Sequence, residues 1–182
     1  MTMMMIGGLV LALAAALIAL YNGLVHSRIK VDEAWADIDT FLKQRFDLIP
    51  NLVNTVKGYA KHERETLENL TKYRSMVANA GSMKEKAQAD TMLTNTLKSL
   101  FAVAENYPDL KANTNFLDLQ KQLTVLEEKL QRARRYYNGT VREYNTKIKV
   151  FPAVLVAGML GFTPREFYEV ADAEKENVKV EF

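Results

Sequence analysis

The chain has no cysteine, only 4 prolines and 8 glycines among 182 residues, and two histidines, His26 and His62. The missing cysteine excludes a disulfide scaffold, a thiolate zinc site, an iron–sulfur cluster and a cysteine nucleophile. The scarcity of glycine and proline excludes collagen-like and low-complexity sequence. A net charge of +2 excludes nucleic-acid binding by bulk electrostatics. Neither histidine belongs to a His-Glu-x-x-His pair, and no Gly-rich phosphate loop, nucleophile elbow or dinucleotide fingerprint occurs. His62 beside Glu63 and Glu65 reads as a solvated helix turn. The residues therefore point to no catalytic group, no metal ligand set and no cofactor.

Charge is missing from one end as well. All 24 Lys/Arg and all 22 Asp/Glu lie at or after Arg28. Met3 to Val25 is an uncharged run, and Ile6 to Leu20 carries no polar side chain. At about 1.5 Å per residue this run crosses a hydrocarbon core of about 30 Å. Tyr21 and Asn22 fall where an aromatic belt begins, with His26, Arg28 and Lys30 following at headgroup level. The Ala-x-Ala matches around Ala12 to Ala16 lie inside the apolar run and not after it, which predicts an uncleaved, single-pass anchor over residues 1–27. Arg28 and Lys30 on its carboxyl side favour a cytoplasmic bundle by the positive-inside rule.

Beyond Arg28 the apolar period is helical and no segment alternates with period two, which predicts an all-α fold. Val31, Trp35, Ile38, Leu42, Phe46, Ile49, Val53 and Val56 form one stripe. Leu67, Leu70 and Val77 continue it after an interruption at Gly58 to Glu63. Ser82 with Glu85 has capping-box spacing ahead of a helix carrying Met92, Leu93, Leu97, Leu100 and Ala104. The last pattern, from Phe116 through Leu119, Leu123, Leu126, Leu130, Ala133, Tyr137, Val141 and Tyr144 to Ile148, is a coiled-coil-like seam. Pro50 opens a new helix capped by Asp47 or kinks a continuous one. Gly58 offers a second break as a C-terminal cap. Residues 28–80 read either as one long kinked helix or as two that turn near Gly58; the turn is preferred, because it divides residues 28–149 into an antiparallel up-and-down bundle of four helices with few unmatched ends.

A second uncharged run, Val150 to Phe162, is too short to span a bilayer. It reads either as a lid over the open end of the bundle or as an interfacial element whose Lys147 and Lys149 meet headgroups. Residues 150–182 thus comprise an apolar segment and an acidic tail, packing on bundle or membrane. Lys129, Arg132, Arg134, Arg135, Arg142, Lys147 and Lys149 make the last helix basic. Because Tyr137 and Tyr144 sit on the seam, the interleaved tyrosines read as packing and not as base-stacking platforms. A protein partner or lipid thus outranks nucleic acid.

Several motifs in fixed order resemble the LemA family of bacterial membrane proteins. They are Tyr21-Asn22, Ala34-Trp35, Ile38-Asp39, the run Asp47 to Val53 through Pro50 and Asn51, Val56 to Tyr59, and His62-Glu63. Arg134 to Asn138, Tyr144-Asn145, Phe151-Pro152 and Gly161-Phe162 complete the set. The resemblance implies one amino-terminal membrane helix followed by an antiparallel helical bundle, and it carries over no catalytic residues. It also implies a link to membrane proteolysis or envelope stress, with a membrane zinc metalloprotease as a partner. Related members resemble lipoproteins anchored through a cysteine before the Tyr-Asn pair, where this chain has Leu20.

The matched residues read first as structural. Trp35 and Tyr59 supply large buried surfaces. Asp47 and Asn51 flank the backbone groups that Pro50 disturbs. Asn138 and Asn145, two turns apart, form a polar ladder or line a groove with the tyrosines. The function expected is a membrane-anchored, non-enzymatic scaffold or adaptor for a membrane protein. The alternative is a lipid-binding or membrane-remodelling module.

Overall fold

α1 (Thr2–Lys57) is one uninterrupted helix, so the apolar anchor and the first bundle helix are the same element. It is followed by α2 (Arg64–Asn79), α3 (Met83–Ala104), the single turn α4 (Pro108–Lys111), α5 (Thr114–Lys147) and a 3-10 turn at Ala153–Leu155. This computed structural model describes residues 1–60 and 62–168, and no strand occurs among them. The predicted acidic tail lies, from residue 169 on, outside the described residues.

The two alternatives at the first breaks are resolved by hydrogen bonding. Pro50 lies inside α1, so no new helix starts there and Asp47 is not a cap. Asp47 is exposed and pairs with Lys43 at 3.7 Å. α1 ends instead at Lys57, where the N–H groups of Tyr59 and Ala60 both donate to the Val56 carbonyl at 3.0 and 2.9 Å. Gly58 follows without entering the left-handed region, so its role there does not depend on glycine's special freedom. Ser82 and Glu85 form the expected capping box. Asn113 Oδ1 accepts from the Phe116 N–H at 3.0 Å, a cap on α5 that the spacing analysis missed.

By compactness the chain forms two units. The first contains Met1–Asp37 and Arg135–Phe167. In it Lys147 Nζ donates to Ser27 Oγ at 2.8 Å and the Trp35 ring meets Tyr137 edge-on at 5.8 Å. Low numbers of α1 thus face high numbers of α5, an antiparallel pair. Leu24, Val31, Ala34, Val141, Ile148 and Phe162 are buried between these segments. Residues 1–19 are exposed throughout, although nearly all are apolar. This stretch belongs to the one helix among the described residues that is long and apolar enough to cross a membrane.

The second unit contains Ile38–Arg134 with Tyr168. Its α1 segment runs parallel to α3, as Asp39 pairs with Lys86 and Arg45 with Asp90. α5 runs antiparallel to both, as Arg45 meets Glu127 while Thr94 and Asp90 meet Glu127 and Arg134. All ten predicted seam positions, nine on α5 and Ile148 just after it, are buried, as are six of the eight α1 stripe positions. Trp35 and Phe46 are the half-buried exceptions. On α3, Met92 points outward, and Asp90 takes a buried position instead.

Candidate functional site

The polar chemistry of the second unit converges on four charged side chains that came from apolar stripes. Arg45 lies on the inner face of α1 three residues after Leu42, and only 2% of it is exposed. Its Nη1 donates to Asp90 Oδ1 at 2.7 Å and to Thr94 Oγ1 at 2.8 Å, and its Nη2 donates to Glu127 Oε2. Arg134 Nη2 donates to Asp90 Oδ2, and its Nη1 stands 3.8 Å from Glu127 Oε1. Tyr168 completes the cluster, donating to Asp90 Oδ2 at 3.0 Å with its ring 5.2 Å from the Arg134 guanidinium carbon. Two guanidinium groups and two carboxylates cancel in formal charge.

Such burial is tolerable only when every charge is answered by another. Desolvation lowers the Arg45 pKa while Asp90 opposes that shift. Burial pushes the Tyr168 hydroxyl up, and the Asp90 carboxylate pushes it further in the same direction. The cluster binds α1, α3 and α5 to one another. No group of three metal-ligating side chains occurs among the described residues.

A second device surrounds Pro50. Proline has no N–H, so the carbonyl four residues earlier, that of Phe46, loses its helical donor. Arg74 from α2 supplies one, its Nε donating to the Phe46 oxygen at 2.9 Å while its guanidinium carbon stands 3.5 Å from the centre of the Phe46 ring. One arginine thereby satisfies the helix defect and covers the adjacent aromatic face. Asn51 is exposed, with its carbonyl accepting from Thr55 Oγ1.

In the first unit, tyrosines and an asparagine of α5 hold an extended strap, residues 163–167, by its main chain. Tyr144 donates to the Thr163 carbonyl at 3.1 Å and Tyr137 to the Glu166 carbonyl at 2.9 Å. Asn145 is reciprocal: its amide donates to the Arg165 carbonyl and its oxygen accepts the Arg165 N–H, both at 2.8 Å. The Arg165 side chain reaches Asp32 at 2.7 Å. Burial, with Asp32 and Glu166 adding to it and Arg165 opposing, pushes the Tyr137 hydroxyl up to about 12. Tyr144 is shifted upward for the same first reason.

The apolar run Val150 to Phe162 coils between α5 and that strap. The N–H groups of Val154, Ala157 and Leu160 donate four residues back. The coil closes in a Schellman arrangement, with Phe162 N–H donating to Ala157 O and Gly161 N–H to Gly158 O. Gly161 takes the left-handed conformation, φ 77°, that this ending requires. Ala153, Ala157 and Phe162 form the buried side of the run. Its other side is equally apolar and faces out, Phe151 being 78% and Met159 88% exposed.

The predicted residues are thus used unequally. Tyr21 packs edge-on against Phe162 at 5.7 Å, whereas Asn22 is exposed. Tyr59, expected to be buried, is exposed, because α1 has already ended there; its hydroxyl accepts from Asn113 Nδ2 at 2.9 Å. Asn138 is half-buried, and Phe151 and Pro152 are exposed. Residue spacing does not single out Arg45, Asp90 or Glu127, and it puts Arg134 on a basic face. The available signal was a charged residue at helical spacing within an apolar stripe: Leu42-Arg45-Ile49 and Ala87-Asp90-Leu93.

A family model, the LemA family, matches residues 34–182. Protein LemA of Metamycoplasma hominis is 26% identical over 162 residues, covering 86% of this chain and 72% of that protein. Magnetosome protein MamQ 2 of Paramagnetospirillum magneticum is 24% identical over 186 residues, covering 88% of this chain and 68% of that protein. Magnetosome protein MamQ of Magnetospirillum gryphiswaldense is similar over a shorter stretch, 25% identical across 51% of this chain and 34% of that protein.

Proposed function

The chain belongs to the LemA family, and from that premise we propose that it is a membrane-anchored, non-enzymatic scaffold that presents its helical bundle to a membrane protein. The observation that carries this reading is the self-neutralised cluster of Arg45, Asp90, Glu127 and Arg134. The buried charges of the bundle are spent on cross-linking helices, so what it offers to other molecules is surface. The uncharged amino-terminal run supplies the anchor, a single pass through the cell membrane. Arg28 and Lys30 on the carboxyl side of the anchor favour a cytoplasmic bundle. A membrane zinc metalloprotease is the partner to test first, in keeping with the tie to membrane proteolysis or envelope stress that the family resemblance implies.

Photo-crosslinking in native membranes followed by affinity capture of the full chain tests this reading. A defined membrane protein is recovered with the wild type and lost when residues 150–162 are replaced by a polar linker. Recovery of no stable partner across independent captures overturns it.

One feature favours a second reading, contact with lipid itself. Phe151, Val154, Leu155 and Met159 form an outward apolar set in the same unit as the anchor. A short apolar segment with lysines at its start suits an interfacial position. In flotation with anionic vesicles, substituting Phe151 and Leu155 by Asp weakens the binding of a chain whose anchor has been removed. Unchanged binding sinks the lipid reading and leaves the scaffold reading in place.

A further inference from the structure

Between the anchor helix and the apolar coil lies a groove of about 350 Å³, lined by Leu17, Ile18 and Tyr21 of α1 and by Val156, Met159 and Leu160. Its volume is within the range of small-molecule sites, yet its walls carry scarcely any polar group. Leu17 and Ile18 remain more than half exposed and belong to the apolar stretch of α1 that is exposed from residue 1 to 19. The groove is therefore continuous with the surface that the anchor turns to hydrocarbon.

The groove has a charged upper end. The Phe162 ring centre stands 5.7 Å from that of Tyr21 and 5.4 Å from the Arg28 guanidinium carbon. Arg28 follows Tyr21 by seven residues, two helical turns on the same face and about 10 Å along the axis. No carboxylate pairs with Arg28 among the described residues, whereas Lys147 is held by Glu143 and Arg165 by Asp32. Arg28 is half-buried, and Lys149, where the coil begins, is exposed. An apolar trough ending about 10 Å below an uncommitted guanidinium matches a phospholipid, whose acyl chain and phosphate are separated by the glycerol layer.

We infer that this groove seats one acyl chain of an anionic phospholipid, with the lipid phosphate on Arg28. The inference rests on the lipid reading given above, since it requires the coil to lie at the bilayer surface. A guanidinium binds a phosphate oxygen pair through two parallel N–H donors, which ammonium cannot imitate. The Phe162 ring already lies within cation–π reach of that guanidinium. The chain in the trough completes the apolar contacts that Met159 and Leu160 otherwise leave to water.

The test uses the full-length chain in phosphatidylcholine nanodiscs with a fifth of the lipid replaced by phosphatidylglycerol. Photoactivatable phosphatidylglycerol, carrying its diazirine on the acyl chain, should crosslink within residues 17–21 and 156–160, several-fold more than the phosphatidylcholine analogue does. Arg28→Gln should abolish most of that headgroup preference, a change of about fivefold. Leu160→Trp, which fills the trough, should suppress the crosslink with both lipids, while Leu9→Trp, elsewhere on the anchor, leaves it unchanged. The absence of native cysteine lets Met159→Cys carry an environment-sensitive dye. A dye that reports water in nanodiscs removes the bilayer placement and the proposal together. A dye that reports hydrocarbon, with no phosphatidylglycerol preference and no effect of Arg28→Gln, overturns the lipid seat alone. A crosslink from this region to a second copy of the chain or to another protein likewise overturns it.

Discussion

Arg45, Asp90, Glu127 and Arg134 carry the largest single-residue consequences in the molecule. Asp90→Ala leaves two buried guanidinium groups facing one carboxylate, and stability should fall by roughly 3–5 kcal/mol. Urea unfolding in detergent micelles measures the loss. Arg45→Met combined with Asp90→Leu keeps the cluster neutral and should recover most of it. Arg74 acts on one atom, the Phe46 carbonyl that Pro50 orphans. Arg74→Ala should cost about 1–3 kcal/mol, and less in a Pro50→Ala background, where the helical N–H returns; a double-mutant cycle reads that coupling directly. The buried tyrosines set a pH dependence. Tyr137 is held up to about 12 and Tyr168 is raised too, so the folded state keeps protons that the unfolded chain releases near 10. Stability is then complete below pH 10 and is lost as pH climbs towards 12. Thermal melts between pH 8 and 12 should show this fall, with a shallower slope in Tyr137→Phe.

The helices show where sequence pattern is sufficient and where it stops. The seam of α5, with Ile148 just after it, has ten residues at steps of three and four, and all ten are buried, because a long apolar stripe has only one way to leave water. The capping box of α3 is equally local: Ser82 and Glu85 satisfy N–H groups within one turn. Pro50 is not local. Whether a helix breaks or continues at proline depends on a donor for the freed carbonyl, and here that donor stands on another helix. The coil from Val150 to Phe162 ends because Gly161 reaches a left-handed φ. Gly161→Ala should cost about 1–2 kcal/mol. It should also speed hydrogen exchange at the Arg165 N–H, whose acceptor on Asn145 requires the strap to emerge in register.

For the molecule as a whole, the uncharged amino-terminal run is the feature that composition averages conceal. Leu13 is exposed in the middle of the apolar run. Leu13→Arg should convert a chain retained in membranes under alkaline carbonate extraction into one that is substantially released, since a central arginine costs about 2.5–3.5 kcal/mol. A core helix of a soluble protein would show no such membrane effect. The amino-acid sequence alone determined the helical class, the uncharged run, the division near Gly58 and the seam of α5, since each follows from composition or from contacts along one helix. Only the tertiary structure decided that Arg45, Asp90, Glu127 and Arg134 form one neutral cluster, that Arg74 answers Pro50, and that the α5 tyrosines hold the strap. Those pairings join positions tens of residues apart, and a charge in an apolar stripe does not name its partner. Burial without a partner is prohibitively costly, so the fold retains these charges only where packing brings opposite ones within hydrogen-bond reach.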